Sequence, residues 1–348
     1  MKRVSCIATL VLAFAAATTS ACSTSLPPMQ VLGAKKDGRQ PTYLGMPLRS
    51  GQLVLTESPD ATSFLFPLIP KKFYPFTHVA IVSVENGEPF VYDVTGEVKT
   101  FPLKKRLMDN VSGKMFRRAL YEYVAPNLYA EIYDPPEGAD GEKIAAFARA
   151  KFAEGVEFDS HFDFGDHSKL FCSELVELAV RSAGGPHVDP EASNPNPSIV
   201  EGMTWLGVPP GVALPAGRFA DPKRYVGALG QFPTRTSAWL YFEAKREIHR
   251  RFTMDQRLGY ILTIDNNGRV DIRPEISGFA IRASHLFDKE ENPPEPEDPR
   301  VRAAVRKLAD ETFGPFPADT KPRAASRPAP GEATGFVRAQ RVRNRGAS

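Results

Sequence analysis

LFCSELVELAVRSAGG, Leu170 to Gly185, sets a cysteine at the mouth of a short amphipathic helix. Leu175, Val176, Ala179 and Val180 recur at helical spacing, Glu174, Glu177 and Arg181 take the other side, and Gly184-Gly185 supplies the stop. Cys172 therefore falls in the first turn. Unpaired backbone amides and the positive end of the helix dipole favour a thiolate there, the nucleophilic form of cysteine. The pattern alone leaves two readings open, a buried structural cysteine and a nucleophile. Glu174 and Glu177 read as charges on the helix surface.

The other two cysteines, Cys6 and Cys22, lie near the start of the chain. Residues 1–21 carry Lys2 and Arg3, an apolar run from Cys6 to Ala17 and then small residues, the pattern of a secretory signal whose apolar core is too short to cross a bilayer. Thr19, Ser20 and Ala21 lead into Cys22 in an order that resembles a bacterial lipoprotein box, although that box usually has Leu where Thr19 stands. Lipidation of Cys22 and ordinary cleavage nearby both export the chain. Either way Cys172 is the sole thiol expected in the mature fold. The 348 residues carry a net charge of +3, of which Lys2 and Arg3 leave with the signal, so no overall field points to nucleic acid.

Downstream, Leu53, Val54 and Leu55 read as a short strand. An apolar loop, FLFPLIPKKFYPF, leads into THVAIVSVENGEPFVYDVTGEV, a hairpin turning at Asn86-Gly87. If Glu85 pairs with Glu88, His78 lies opposite Thr95 and Asp93 is its diagonal neighbour on the same face, with Tyr92 on the other. Residues 114–124 read as a basic and aromatic strand, 141–155 as a helix, and 186–233 as a proline-rich, loop-like course with Met203, Trp205 and Leu206 as an isolated apolar cluster. Residues 236–252 read as a helix whose basic face, Arg246, Arg250 and Arg251, faces solvent or anionic headgroups. A second hairpin turns at Asn267-Gly268, and a last helix covers VRAAVRKLADETF.

A thiol nucleophile needs a base and a group that orients it. His78, Asp93 and Cys172 supply those residue types. The ordered words Gly51-Gln-Leu-Val, His78-Val-Ala-Ile-Val, Val91-Tyr-Asp93, Gly155-Val-Glu-Phe-Asp159 and Phe171-Cys172-Ser-Glu-Leu resemble the YiiX/YebB-like branch of the NlpC-type cysteine hydrolases, over about residues 48–188. The resemblance implies an α+β, circularly permuted papain-like fold with an antiparallel sheet packed on the cysteine-bearing helix. It implies Cys172 as nucleophile, His78 as base and Asp93 as the residue that orients it. The family usually has Gly-Asp where Gly51-Gln52 stands.

The expected organisation is a signal peptide (1–21), a tether (22–45), the hydrolase domain (46–232), a C-terminal helical and hairpin extension (233–314) and a disordered tail (315–348). His161, Asp163, Asp166 and His167 match no familiar zinc spacing, so they read as a polar rim, with Asp159 and Asp163 as candidate substrate contacts and no metal or cofactor implied. The expected activity is amide hydrolysis at the cell envelope, on the periplasmic side of a membrane that anchors Cys22. The expected partners are cell-wall peptides or a lipid-linked amide. A thiol acyltransferase or lipid amidase served by the apolar loop before His78 is an alternative, as is a catalytically silent envelope lipoprotein.

Overall fold

The structure is a computed structural model that describes residues 29–40, 42–98, 111–206, 208, 209, 211–254, 258, 261–264, 270–316 and 337–339. The expected signal peptide, Cys22, the Asn267-Gly268 turn and most of the expected tail lie outside these residues. The chain begins with β1 (Gln30–Ala34), β2 (Leu53–Glu57), α1 (Thr62–Leu65), β3 (His78–Glu85), β4 (Glu88–Val98), β5 (Val111–Ala119), α2 (Leu120–Val124) and β6 (Tyr129–Tyr133). Next come α3 (Gly141–Ala153), β7 (Glu157–Phe158), β8 (Lys169–Leu170), α4 (Cys172–Ser182), β9 (Glu191–Ala192), α5 (Pro197–Leu206) and β10 (Val212–Ala213). After β11 (Tyr225–Gly230) follow α6 (Arg235–Met254), β12 (Leu262–Ile264), β13 (Val270–Ile272), α7 (Pro274–Ser284), α8 (Pro299–Phe313) and β14 (Val337–Ala339).

Nine strands form one α+β sheet in the order β1-β11-β6-β2-β3-β4-β5-β7-β8, antiparallel except for β7 with β8. The centre is fixed by the Asn86-Gly87 turn, whose residues sit at φ 53° and 87°, the left-handed values a two-residue hairpin turn needs. Pairing runs from Glu85↔Glu88 to Ile81↔Tyr92, the expected register. Successive residues of β3 alternate faces, and both faces are buried. Val79 and Ile81 join Leu53, Leu55, Ile144, Val176 and Phe242 beneath α3, α4 and α6, while Ala80 and Val82 join Val54, Val91, Leu120 and Tyr123 on the other side. Each such buried aliphatic side chain contributes about 1.5–3 kcal/mol relative to exposure.

Several expectations change. Part of the expected tether is sheet, because Gln30–Ala34 pairs with β11 along its edge. The 186–233 course holds α5 and β11, the latter a short, glycine-bearing strand (YVGALG) with almost every residue buried. The 114–124 strand ends at Ala119, and Leu120–Val124 turn into a helix. The 233–314 extension is no separate layer, since Phe242 and Ile248 of α6 belong to the same core as Leu53 and Val176. The α6 basic face is ion-paired within the fold, with Arg251 buried and Arg246 and Arg250 partly exposed. Arg251 pairs with Glu247 and Asp310, Arg250 with Glu247, and Arg246 with Glu243. Within the expected tail, Val337–Ala339 pairs in parallel with β12. The apolar loop before His78 offers no acyl-chain surface from Phe64, Leu65, Leu68 and Phe76, all of which are core residues.

Candidate active site

The site forms where α4 meets the start of β3. Val82 donates its amide to Gln52 of the neighbouring chain segment at 2.8 Å, so even-numbered residues of β3 bond toward β2 and odd-numbered ones toward β4. Pairing with β4 ends at Ile81, two residues short of Val79. The Val79 amide, free of β4, favours the charged form of the Cys172 sulfur instead. Phe171 is the extended N-cap residue of α4 and provides no side-chain cap, so the amides of the first turn, Cys172 included, keep their donors free of intrahelical partners.

His78 donates from Nε2 to Oδ1 of Asp93 at 2.5 Å, which leaves Nδ1 for the Cys172 thiol, the other group that raises the imidazole's affinity for a proton. The imidazole is a quarter exposed and the Asp93 side chain almost fully buried. Burial pushes the Cys172 thiol up, but the His78 charge and its hydrogen bond outweigh this and hold it below the usual thiol value. Burial likewise depresses His78, and Asp93 together with Cys172 overrides it, holding the imidazole well above its usual value. Each shift favours the charged form of its group, thiolate for Cys172 and imidazolium for His78. The Ser173 hydroxyl lies 3.7 Å from the sulfur and adds a further donor.

Tyr123 was not among the residues the sequence singled out. It is buried on α2 with its ring 6.5 Å from the His78 ring. Burial and then the Asp93 charge keep its phenol protonated, well above the usual value. Its hydroxyl lies beside Thr56 without a well-formed hydrogen bond. The tyrosine thus roofs the Asp93–His78 pair on the side away from α4. The one available signal was an aromatic residue close behind a basic strand.

The candidate substrate contacts are placed differently. Asp159 is buried and accepts from the amides of His161 at 2.8 Å and Asp163 at 2.5 Å, so its carboxylate braces the loop before α4. Asp163 is exposed and accepts from the Gly165 amide at 2.8 Å. Neither carboxylate is directed by these contacts toward Cys172. Glu174 and Glu177 are buried rather than surface charges, because the flanking loops close over that side of α4. Glu174 accepts from Nδ1 of His167 at 2.6 Å, and Glu177 pairs with His187. Gln52 is buried and donates from Nε2 to Asp134 at 2.9 Å and to the Pro47 carbonyl at 3.1 Å, a neutral brace at the start of β2. Among the described residues no group of three or more His, Cys, Asp or Glu side chains is arranged to hold a metal ion.

No protein-family model matches the chain, and no curated protein does. Among solved structures the chain is similar to the crystal structure of metalloprotein yiiX from Escherichia coli O157:H7, DUF1105, with a TM-score of 0.38 and 17% identity over 51% of this chain and 95% of that one. A YiiX-like protein is thus one structural neighbour of the chain.

Proposed function

We propose that the chain is a cysteine hydrolase of amide bonds, built on the permuted papain-like arrangement of the YiiX-like hydrolases. One observation carries the proposal, the continuous line from the Cys172 sulfur through His78 to Asp93. In this reading His78 takes the Cys172 proton and the thiolate attacks the amide carbonyl. The backbone amide of Cys172, free at the helix start, faces the oxyanion. The imidazolium returns its proton to the leaving amine as the C–N bond breaks, leaving a thioester. Water, deprotonated by His78, then attacks the thioester, releasing the acid and restoring the thiol. Asp93 holds His78 with Nδ1 toward sulfur throughout. The proposal includes export, acylation of Cys22 and work at the periplasmic side of a bacterial membrane on cell-wall peptides or a lipid-linked amide, for which the pattern of residues 1–25 is the support.

Alkylation of the full chain by iodoacetamide across pH tests the chemistry. Cys172 is expected to react well below pH ~8.5, the free-thiol value, and His78→Ala to abolish that low-pH reactivity. A thiol titrating at the free value with no dependence on His78 sinks the proposal. Mass spectrometry of cell-wall digests and lipid extracts incubated with wild type and with Cys172→Ser then identifies the amide. Loss of membrane association in Cys22→Ala tests the anchor separately.

A further inference from the structure

On β5, Val91↔Arg118, Asp93↔Phe116 and Thr95↔Lys114 are directly opposite pairs. Opposite residues of an antiparallel pair share a face, so Lys114, Phe116 and Arg118 lie on the Asp93 face. The Arg118 guanidinium sits 4.6 Å from the Phe116 ring centre and the Lys114 ammonium 6.0 Å from it. Among the described residues neither cation has an ion-pair partner. The adjacent Arg117 shows the contrast: on the opposite face it pairs with Glu85 at 2.7 Å and stacks on Phe90 at 3.4 Å. Glu157 stands across β7 from Lys114, but its carboxylate takes the Lys169 ammonium at 2.6 Å.

The charges nearby make these two cations meaningful. With thiolate, imidazolium and carboxylate in place, the Cys172–His78–Asp93 line carries one excess negative charge and repels an anion. Phe116 stands directly opposite Asp93, the residue that bonds His78, so the two cations on either side of Phe116 flank the Asp93 end of that line. An arginine whose plane is held on an aromatic ring keeps its donor fork pre-oriented, a geometry that suits a carboxylate.

We infer that Lys114, Phe116 and Arg118 form a subsite for a carboxylate carried by the substrate close to its scissile amide. The inference rests on the reading of Cys172 as nucleophile and assigns the substrate class, an acidic amide. Iodoacetate and iodoacetamide share one alkylation chemistry and differ by the carboxylate, so the ratio of their second-order rates with Cys172 reads the subsite in the full chain. Lys114→Gln/Arg118→Gln is expected to lower the iodoacetate-to-iodoacetamide ratio about fivefold or more, read at a pH above the thiol's titration where both reagents meet the same thiolate. Lys114→Gln alone, at an exposed position, is expected to lower the ratio by a smaller factor without the arginine change. A ratio unchanged in both variants overturns the subsite. Failure of the nucleophile reading shows differently, as an iodoacetamide pH profile at the free-thiol value that ignores His78→Ala.

Discussion

His78 gives Nε2 to Asp93 at 2.5 Å and thereby keeps Nδ1 for Cys172. A histidine has two ring nitrogens, and the bond at one fixes the work of the other. The acid on the neighbouring strand thus sets which face of the ring meets the sulfur, and the sulfur has further support from the Val79 amide and the Ser173 hydroxyl.

Removal of one of those donors is expected to show in the thiol. Ser173→Ala deletes a hydrogen bond to the charged form, so the Cys172 titration moves upward in pH and alkylation at pH 6 slows about threefold to tenfold. The helix is expected to tolerate the change, alanine being a good helix former. Stopped-flow alkylation at several pH values measures it, and a profile superimposable on wild type counts against the hydroxyl's role.

Tyr123 separates ring from hydroxyl. Tyr123→Phe keeps the cover over Asp93 and His78 and is expected to leave the thiol titration within a few tenths of a pH unit of wild type. Tyr123→Ala admits water, weakens the Asp93–His78 attraction by raising the local dielectric, and shifts reactivity toward the free-thiol range. It also costs about 3–5 kcal/mol of stability as a large-to-small core change, so the comparison is made below the unfolding midpoint in urea. A Phe variant that behaves like the Ala variant would assign the role to the hydroxyl.

Lys245 of α6 and Glu57 of β2 are an ion pair with side chains 1% and 0% exposed. Burial pushes Glu57 up to about 7 and Lys245 below its usual value, so each charge depends on the other. Lys245→Met leaves a lone buried carboxylate and is expected to destabilise by about 3–5 kcal/mol. Adding Glu57→Gln removes the orphan charge and recovers most of that loss. Urea denaturation of both variants tests the pair, and equal midpoints would contradict its mutual dependence.

Glu174 gives a pH signature. Burial, only partly offset by His167, raises its folded value to about 7, above the unfolded value of 4.5. The folded state therefore holds the proton more tightly, and the contribution to stability is complete below pH 4.5 and lost as pH rises through 7. Glu174→Gln cannot lose it. The stability of wild type relative to this variant is expected to fall by about 2–3 kcal/mol between pH 4.5 and 8, as read from thermal or urea unfolding. A difference that stays flat with pH would show that the His167 contact fully compensates burial.

What the sequence made legible is what is local. The Asn86-Gly87 turn and the period of two place His78 and Asp93 on one face without knowledge of the rest of the fold. Cys172 at a helix start follows from apolar spacing and the glycine stop. What stayed hidden depends on partners far along the chain. Glu174, Glu177, Lys245 and Arg251 are charged residues whose burial follows from His167, His187, Glu57 and Asp310, and no helical period reports that. The strand YAEIY of β6 hides for a related reason. Its central Glu131 is fully buried, accepting from the hydroxyls of Tyr129 and Tyr133 and paired with Arg235, so a strand of the sheet interior reads as half polar.

The edge strand β1 pairs Gln30 with Gly230, and the Glu57–Lys245 contact spans 188 residues. Both closures join the first part of the chain to parts made late, and distant pairings of this kind form slowly because their loop entropy is lost before any contact is gained. An emerging chain cannot complete this sheet until the region of residue 230 is available. For a protein proposed to cross a membrane before it folds, that delay has a use. The order in which its strands find one another keeps the early part of the chain free of its final partners, and so in a form that can still be threaded.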